Sequence, residues 1–496
     1  MRLRTTSLLI AILLSLAGCA TQPHGPSETA VSLDRIDHIV VIFAENRSFD
    51  NLYGLFPGAN GLANASPSSW TQTDRNGAPL ATLPPVWKAG AKADPAYPTN
   101  LPNAPFRIDA PPIDLPLSVP TRDLIHRFYT NQEQINHGKL DRYAALSDAG
   151  GLPMGHYDGS SLPLWTLAHE YTLADNFFMG AFGGSFLNHF WLICACTPVF
   201  PNAPPALVAV LDASGKLALA PTAPASALDG PPRYVNDGAV TPDGFAVNTL
   251  QPPYEPSNIP PAAGADARFA DPKQNPLPPQ TMQTIGDTLS AKGLAWAWYA
   301  EAWNQALADG MQPSGAPRKV IDNDAPGAPD FKTHHQPFNY FSKYAPGTAE
   351  RAQHLKDYHD LVTQIQNDTL PAVAFYKPEG AHNEHPGYAD VLAGDIHIAD
   401  LIGKIQASRA WKSTLIIVTY DENGGFWDHV PPPPGDRWGP GTRIPTLVIG
   451  PMVKKRFIDD TVYDTTSILK LITRRITLAP LPGVRANVGD LTNALE

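Results

Sequence analysis

The sequence has few cysteines, and this scarcity limits the folds that it can adopt. Only three of its 496 residues are cysteine, namely Cys19, Cys194 and Cys196. A small fold held together by disulfides is therefore excluded, because such folds need several cysteine pairs. A single residue separates Cys194 from Cys196, a spacing that is unfavourable for a normal disulfide, so we expect both to be small core residues.

Charge is also scarce, and positive charge most of all. Charged residues make up 17% of the chain, and 36 lysines and arginines against 47 aspartates and glutamates give a formal net charge of −11. This balance argues against a nucleic acid as partner, since nucleic-acid binding needs an excess of basic residues. The 53 prolines indicate long ordered loops, which are typical of enzymes with extended active-site rims.

Long apolar segments are missing, and the short one near the start is typical of an export signal. The chain begins Met-Arg-Leu-Arg and continues with an apolar run over residues 8–14, too short to span a membrane. Residues 16–19, Leu-Ala-Gly-Cys, resemble the end of a bacterial lipoprotein signal, whose cysteine becomes acylated. Ala20 follows Cys19, which in such lipoproteins indicates the outer membrane. We expect an exported lipoprotein of the outer membrane or periplasm, lipid-anchored at Cys19; an ordinary signal peptide with a chance cysteine is the alternative.

The length exceeds what one hydrophobic core usually holds, so we expect one large domain with insertions, or two domains. The divisions follow shifts in composition. They are a lipoprotein signal peptide at 1–19, a linker at 20–35, the first part of the core at 36–200, a Pro/Ala-rich insertion or lid at 201–280, and the second part of the core at 281–496.

Two buried strands that end at acidic residues are the central feature of the sequence. Residues 415–420 and 36–43 are apolar and β-branched, as in strands of a parallel sheet that are buried on both faces. The first strand ends at Asp421 and Glu422, and the second ends at Glu45. Ligands bind beyond the carboxyl ends of such strands, and buried acids need a cation, for which a metal ion is the obvious candidate. Solvated acids at a strand end are the alternative.

Helices and strands alternate through the rest of the core. This rhythm predicts an α/β fold with a mostly parallel central sheet. Helices are predicted at 161–170, 284–292, 351–366, 398–405 and 467–475, and further strands at 294–300, 372–376 and 446–449.

A serine lies where a loop is predicted to enter a helix. Ser185 follows Gly183 and Gly184 and precedes an apolar run. The free N–H groups and the dipole of a helix start favour phosphate and a deprotonated hydroxyl there, although a simple helix cap is the alternative. With oxygen ligands for a hard cation and several loop histidines, these are the parts of a metal-assisted phosphoryl transferase.

Eight short motifs, in order from about residue 36 to residue 475, resemble the bacterial phosphoesterase family. They are DHIVV (37–41), ENRSFD (45–50), NHGKLD (136–141), ADNFF (174–178), YDENGG (420–425), DHVP (428–431), RIP (443–445) and SIL (467–469). That family includes phospholipases C and acid phosphatases. The resemblance implies an alkaline-phosphatase-like α/β/α core with a smaller loop-rich lid.

The resemblance also implies a set of functional residues and one divalent metal ion. The implied metal ligands are Glu45, Asn46, Ser185, Asp421 and Glu422. The implied catalytic residues are Ser185, His126, His334, His335 and His385, with His137 as a competitor for the place of His126. Oxygen ligands favour Mg²⁺, Ca²⁺ or Mn²⁺ over Zn²⁺, which prefers nitrogen and sulfur.

The setting of Ser185 resembles the acid phosphatase branch, because the phospholipase branch usually has threonine in a Gly-Pro-Thr context. The main hypothesis is therefore an acid phosphatase that hydrolyses phosphomonoesters through a phosphoserine on Ser185. A phospholipase C that cleaves phosphodiester headgroups and a non-catalytic surface-binding lipoprotein are the alternatives. Protonated histidines would hold the phosphate, so we expect the fastest hydrolysis below neutrality. We expect His38 to be structural, and His189, Asp428 and His429 to have supporting roles.

The substitution Cys19→Ser tests the predicted lipid anchor. The variant lacks the thiol that would be acylated, so we expect it in the soluble periplasmic fraction while the wild type stays with the membranes. Cell fractionation followed by immunoblotting measures the distribution. Unchanged membrane association of the variant would show that another feature anchors the protein.

Overall fold

The computed structural model describes residues 33–88, 91–313, 315–325 and 327–496. The predicted signal peptide, with Cys19, and most of the predicted linker lie outside the described residues. Within these ranges, every helix is too short or too polar to cross a membrane.

The strands are short, and eight of them form one central sheet. The strands are β1 (His38–Ala44), β2 (Trp87–Lys88), β3 (Lys92–Ala93), β4 (Phe106–Arg107), β5 (Gly155–His156), β6 (Thr172–Ala174), β7 (Phe177–Phe178), β8 (Trp296–Ala300), β9 (Leu355–Asp357), β10 (Val373–Lys377), β11 (Thr414–Tyr420), β12 (Thr446–Ile449), β13 (Phe457–Asp459) and β14 (Tyr463–Asp464).

The α-helices lie between these strands along the chain. They span Phe49–Tyr53, Pro67–Trp70, Phe128–Ile135, Tyr143–Leu146, Pro163–Glu170, Ser185–Cys194, Ile285–Ala291, Trp303–Gly310, Ala349–His354, Tyr358–Gln366, Val391–Ala407 and Thr465–Ile476.

The central sheet is mostly parallel, as its apolar strands predict. Its strand order is β13, β6, β12, β11, β1, β10, β8, β9. Strand β12 runs antiparallel to both of its neighbours, and the other pairs are parallel. Strands β1, β10 and β11 lie in the middle and are almost entirely buried. The predicted α/β class is confirmed.

Helices cover both faces of the sheet. The ring of Trp298 in β8 lies 5.9 Å from that of His189, which belongs to the helix Ser185–Cys194. The hydroxyl of the next residue, Tyr299, donates to Gln364 in the helix Tyr358–Gln366. Neighbouring residues of a strand point to opposite faces, so these two helices lie on opposite sides. The α/β/α layering is therefore confirmed.

The predicted helix at 351–366 is wrong in its middle. The chain forms a helix over Ala349–His354, crosses the sheet edge as β9, and resumes as the helix Tyr358–Gln366. Strand β9 pairs with β8, and the side chain of Asp357 caps the second helix by accepting from the backbone N–H of His359. The apolar periodicity of residues 351–366 favours a helix, but it contains no information about β8. Pairing of β9 with the open edge of β8 outweighs this preference.

The prediction for Cys194 and Cys196 is also wrong, because the two form a disulfide. Ala195 between them adopts a left-handed conformation with φ of 46°, as the C-cap of the helix Ser185–Cys194. This turn brings the two Cα atoms to 5.1 Å, within the range that a disulfide needs. Spacing alone did not reveal the turn.

The predicted insertion at 201–280 consists of loops with short 3₁₀ turns and isolated bridges in the described residues. It is held to the core by polar contacts: Arg127 pairs with Asp237 at 2.6 Å, and the backbone N–H of Phe128 donates to Asn248 at 3.0 Å. Its boundaries, like those of the other predicted divisions, stay a prediction.

A wholly buried arginine joins three of the loops beside the sheet. Arg443 pairs with Asp50 at 3.1 Å and with Asp428 at 3.0 Å. It also donates to the carbonyls of Asn60 and Asp175 at 2.8 Å each. All of these groups need a partner once water is excluded, so the arginine couples the loops that follow β1 and β11.

The substitution Arg443→Met tests this coupling. It leaves Asp428 buried without its cation and Asp50 with His429 as its remaining partner, so we expect the free energy of unfolding to fall by about 3–5 kcal/mol in urea denaturation. The control is Arg437→Met, whose partner is Asp243 and whose side chain is 52% exposed. That surface pair should contribute at most about 1 kcal/mol. Equal losses for the two variants would contradict the expectation.

Candidate active site

The pairing of β1 with β11 brings the predicted acidic residues together. Ala44 lies opposite Tyr420 in this parallel pair, so Glu45 and Asp421 follow at the same edge of the sheet. The backbone N–H of Asp421 donates to the carbonyl of Ala44 at 3.0 Å. Glu45, Asp421 and Glu422 are each fully buried. The strand-end clustering expected from the sequence is present.

Close backbone approaches make this convergence possible. A Cβ at Gly424 would lie 2.3 Å from the carbonyl oxygen of Asn46, and one at Gly184 would lie 2.7 Å from that of His126. Gly424 and Asn46 both have positive φ, at 59° and 65°. Asparagine is among the few side-chain-bearing residues that tolerate such a backbone. The loops beyond the strands therefore touch along their backbones.

Ser185 is the first residue of the helix Ser185–Cys194, and its hydroxyl faces the acids. Its Oγ donates to Oδ1 of Asn46 at 3.1 Å. Burial raises the pKa of Asp421, whose carboxylate lies near this hydroxyl. The structure thus brings a hydroxyl at a helix start into contact with the predicted metal ligands.

The side chain of Ser185 lines a cavity of about 110 Å³. Its lining residues come from both parts of the core and from the predicted insertion. They are His126, Arg127, Gly184, Ser185, Phe186, Asn248, Thr249, His334 and His385. A space of this size beside a serine and three imidazoles suits a phosphoryl group.

The predicted histidines do not all lie at the cavity. His126, His334 and His385 line it, whereas His335 lies behind Glu45, with its Nε2 2.5 Å from Oε1 of that residue. His137, the competitor of His126, is exposed in a turn. The geometry favours His126 for the site, and the catalytic roles of all these residues stay predictions.

Backbone carbonyls orient the imidazoles. Nδ1 of His126 donates to the carbonyl of Leu124 at 2.6 Å, and Nδ1 of His385 donates to that of Pro386 at 2.5 Å. In His126 the other nitrogen, Nε2, lies 3.7 Å from Oε1 of Glu422. Since a carbonyl can only accept, Nδ1 carries the proton in both rings and Nε2 is left for the site.

The surroundings shift the pKa values of three of these histidines in different directions. It lowers the pKa of His335 to about 3 and that of His385 to about 4. Burial also lowers the pKa of His126, but the carboxylates of Glu422 and Asp123 outweigh it and raise that pKa to about 9. The sequence leads us to expect that some of these histidines are protonated, and the shifts favour His126 as the cation and His335 and His385 as neutral.

The acids have the character of a cation site. Burial raises the pKa of Asp421 and Glu422, and Oε1 of Glu422 is buried without a hydrogen-bond partner. Burial also raises the pKa of Glu45, but the hydrogen bond with His335 and the charge of Lys377 outweigh it and lower that pKa. A divalent cation would compensate these charges, so the residues fit a metal.

Ligand atoms of Glu45, His334 and His335 lie within 4.8 Å of one another. This group adds imidazole nitrogens, which Zn²⁺ prefers, to the predicted oxygen ligands. The preference for Mg²⁺, Ca²⁺ or Mn²⁺ therefore stays a prediction.

Comparison with known proteins agrees with this chemistry. The model of the phosphoesterase family matches residues 36–479. The chain belongs to the phosphoesterase family. As a member, it is a phosphoric ester hydrolase, and the sequence-based recognition is confirmed.

Individual relatives are distant. Phospholipase C B of Mycobacterium tuberculosis is 24% identical over 97% of this chain and 82% of its own length. Non-hemolytic phospholipase C of Burkholderia pseudomallei is 24% identical over 93% of this chain and 59% of its own length. A solved structure of a protein in the alkaline phosphatase superfamily from Vibrio parahaemolyticus covers 79% of this chain and 76% of its own, with 10% identity and a TM-score of 0.32.

The sequence-based prediction missed three residues of this phosphoesterase that contact Glu45. Lys377 approaches its Oε1 at 3.1 Å, while Asn383 and Tyr388 donate to its Oε2 at 2.5 Å and 3.1 Å. A lysine directly after the predicted strand at 372–376 was a usable signal for the first. The other two lie in a loop whose path only the fold reveals.

Two further groups of acids and histidines in the phosphoesterase are already satisfied internally. In the first, His382 pairs with Glu301 at 3.2 Å and stacks on His397, whose Nε2 lies 2.5 Å from the hydroxyl of Tyr376. In the second, Arg443 fills the space that a cation would take between Asp50, Asp428 and His429. Asp428 and His429 thus belong to this closed cluster, and their supporting roles stay a prediction.

His38 and His189 also lie in supporting positions. His38 belongs to β1, with Nδ1 3.0 Å from the carbonyl of Pro371. His189 donates from Nδ1 to the carbonyl of Ser185 at 2.7 Å, one turn along the same helix. Neither lines the cavity.

The substitution Glu422→Gln tests the origin of the charge on His126. In the metal-free wild type we expect the imidazole of His126 to titrate well above its ordinary pKa of about 6.5, because Glu422 and Asp123 stabilise the cation. The variant should lower that pKa by at least about one unit. NMR of ¹⁵N-histidine-labelled protein measures both titrations, and the resonance of His137, which is exposed, serves as control. An unchanged pKa in the variant would refute the assignment.

Proposed function

We propose that the protein is a metal-dependent phospholipase C, which cleaves the phosphodiester headgroup of a phospholipid through a phosphoserine on Ser185. The observation that carries the proposal is the hydroxyl of Ser185, which lies at a helix start, faces a small cavity and contacts Asn46 and Asp421. The relatives named phospholipase C support this substrate class over a phosphomonoester.

The residues around Ser185 can carry out both steps of such a reaction. As Oγ attacks phosphorus, its proton can pass to the carboxylate of Asp421, which lies near by. The backbone N–H groups at the start of the helix and the cationic His126 offset the negative charge on the phosphoryl oxygens.

The leaving group departs as the phosphoserine forms. His126, protonated and oriented through Nδ1, can give the proton of Nε2 to the leaving alkoxide. The neutral imidazole can then take a proton from the water that hydrolyses the phosphoserine, while Asp421 returns its proton to Oγ. The serine, the carboxylate and the imidazolium are thus all regenerated. One group thus serves as acid in the first step and as base in the second.

Glu45, Asn46, Asp421 and Glu422 would hold a divalent cation, with imidazole nitrogen near by. Such an ion, when bound, supplies Lewis-acid activation of an oxygen ligand and positive charge for the phosphoryl group. Their burial supports this assignment, as does Oε1 of Glu422, which accepts no hydrogen bond.

An acid phosphatase is the second candidate function. Ser185 in the sequence Gly-Gly-Ser resembles the acid phosphatase branch, and a cavity of about 110 Å³ leaves little room beyond a phosphoryl group. The comparisons favour the phospholipase, so the order of the two hypotheses from the sequence is reversed. A non-catalytic role is the weakest, because every expected site residue is present.

The proposed location suits a phospholipid substrate. A lipid on Cys19 would hold the enzyme at the bacterial envelope, where phospholipids are concentrated. The described residues begin at 33, so the proposal of an exported lipoprotein in the outer membrane or periplasm depends on the leader sequence alone.

A hydrolysis panel tests the function. We expect a higher kcat/KM for p-nitrophenyl phosphorylcholine than for p-nitrophenyl phosphate, release of phosphocholine from phosphatidylcholine vesicles, and loss of all activity with a chelator. Ser185→Ala should lower kcat by about 1,000-fold or more, because it removes the nucleophile. Ser214→Ala, at an exposed serine outside the cavity, is the matched control.

The outcomes separate the candidates. A tenfold preference for the monoester would establish the acid phosphatase instead. Activity of Ser185→Ala within tenfold of the wild type would refute the nucleophile, and absence of hydrolysis for every ester would support the non-catalytic alternative.

A further inference from the structure

Lys377 is a buried cation in contact with two of the proposed metal ligands. It is the last residue of β10, which pairs with β1, and its side chain is wholly buried. Its Nζ lies 3.1 Å from Oε1 of Glu45 and 3.4 Å from Oδ2 of Asp421. The carbonyl of Ala44, also at 3.4 Å, provides a third acceptor.

These contacts surround the ammonium with oxygen atoms. Nζ donates to Oδ2 of Asp421 and to the carbonyl of Ala44, and it forms an ion pair with Glu45. A buried lysine without such partners would cost several kcal/mol. Lys377 is absent from the residues that line the cavity, so it reaches neither substrate nor solvent.

The charges around the centre leave room for one divalent ion. Glu45, Asp421 and Glu422 bring three negative charges, and Lys377 offsets one of them. Two negative charges remain, which one divalent cation neutralises, whereas two such ions would leave an excess of positive charge in a buried place.

The position of the ammonium has the same consequence. In two-metal sites the ions lie about 3.5–4 Å apart and share carboxylates between them. Lys377 already spans Glu45 and Asp421 in that way, and its charge repels a cation on the same oxygens. We propose that Lys377 is a positioning residue that takes the place of a second metal ion and limits the centre to a single, more weakly held divalent cation.

This inference rests on the metal centre of the proposed function, and metal binding rather than hydrolysis tests it. Mn²⁺ is titrated into the metal-stripped full-length protein, and affinity and stoichiometry are read by calorimetry and electron paramagnetic resonance. We expect one Mn²⁺ for the wild type. Lys377→Met should bind its first Mn²⁺ at least about tenfold more tightly, because a repelling charge is removed.

Two further variants separate charge from packing. Lys377→Arg keeps the charge and should bind Mn²⁺ with an affinity close to that of the wild type. Lys332→Met removes another buried lysine, which pairs with Asp324 and Asp330 and contacts neither Glu45 nor Asp421, and it should leave affinity unchanged.

Thermal denaturation gives a second readout. Metal-free Lys377→Met should melt at a lower temperature than the metal-free wild type, and Mn²⁺ should raise its Tm by more. Should the metal-free variant fail to fold, it is prepared with Mn²⁺ bound, and release of the ion to excess chelator is timed. We then expect slower release than from the wild type.

A loss of Mn²⁺ affinity in Lys377→Met would overturn the inference. If Lys377 served only to hold Glu45 in place, Lys377→Met would bind Mn²⁺ more weakly or release it faster. Equal affinity in the two proteins would also overturn it. A wild type that binds no Mn²⁺, Mg²⁺, Ca²⁺ or Zn²⁺ would refute the metal centre itself and with it the inference, whereas failed hydrolysis with intact binding would refute only the reaction.

Discussion

The structure depends on the neutralisation of three carboxylates in a place that water does not reach. Glu45, Asp421 and Glu422 are brought together by the pairing of β1 with β11, and each is fully buried. An uncompensated buried charge costs several kcal/mol, which is a large part of the stability of a whole domain. The ammonium of Lys377, the imidazolium of His126 and a place for a metal ion are the compensation. The carboxylates whose burial costs the most free energy thus belong to the region that is suited to bind and activate a phosphate ester.

A second group of buried charges, around Arg443, is fully compensated by side chains and backbone of the protein. Asp50 and Asp428 meet Arg443, whose guanidinium also bonds to two backbone carbonyls. Its five donors are matched by fixed acceptors, so this cluster holds the loops together and leaves no place for a ligand. The centre at Glu45 differs because a lysine offsets only one charge and Oε1 of Glu422 accepts no hydrogen bond. The residue types are similar, and the choice between arginine and lysine separates a structural cluster from an open one.

Backbone contacts bring the nucleophile to the acids. The loop before the helix of Ser185 passes the carbonyl of His126 at a distance that admits only glycine at position 184. Gly424 meets the carbonyl of Asn46 in the same way. These approaches join four segments that are far apart in the sequence, and Oγ of Ser185 lies within hydrogen-bond distance of Oδ1 of Asn46. A side chain at either glycine would push the serine away from the centre.

The sequence by itself determined the elements whose signals are local. Apolar β-branched runs identified β1 and β11, the acids that end them followed directly, and Gly183-Gly184-Ser185 marked a helix start, since strand burial and helix entry depend on neighbouring residues. Only the tertiary structure decided which distant groups meet. The place of Lys377 depends on the pairing of β10 with β1, and the break in the helix predicted at 351–366 depends on the free edge of β8. The left-handed turn at Ala195 that allows a disulfide, and the burial that leaves His385 neutral while His126 is charged, also depend on the packed fold. These are properties of the surroundings, and a residue's own sequence neighbourhood does not specify them.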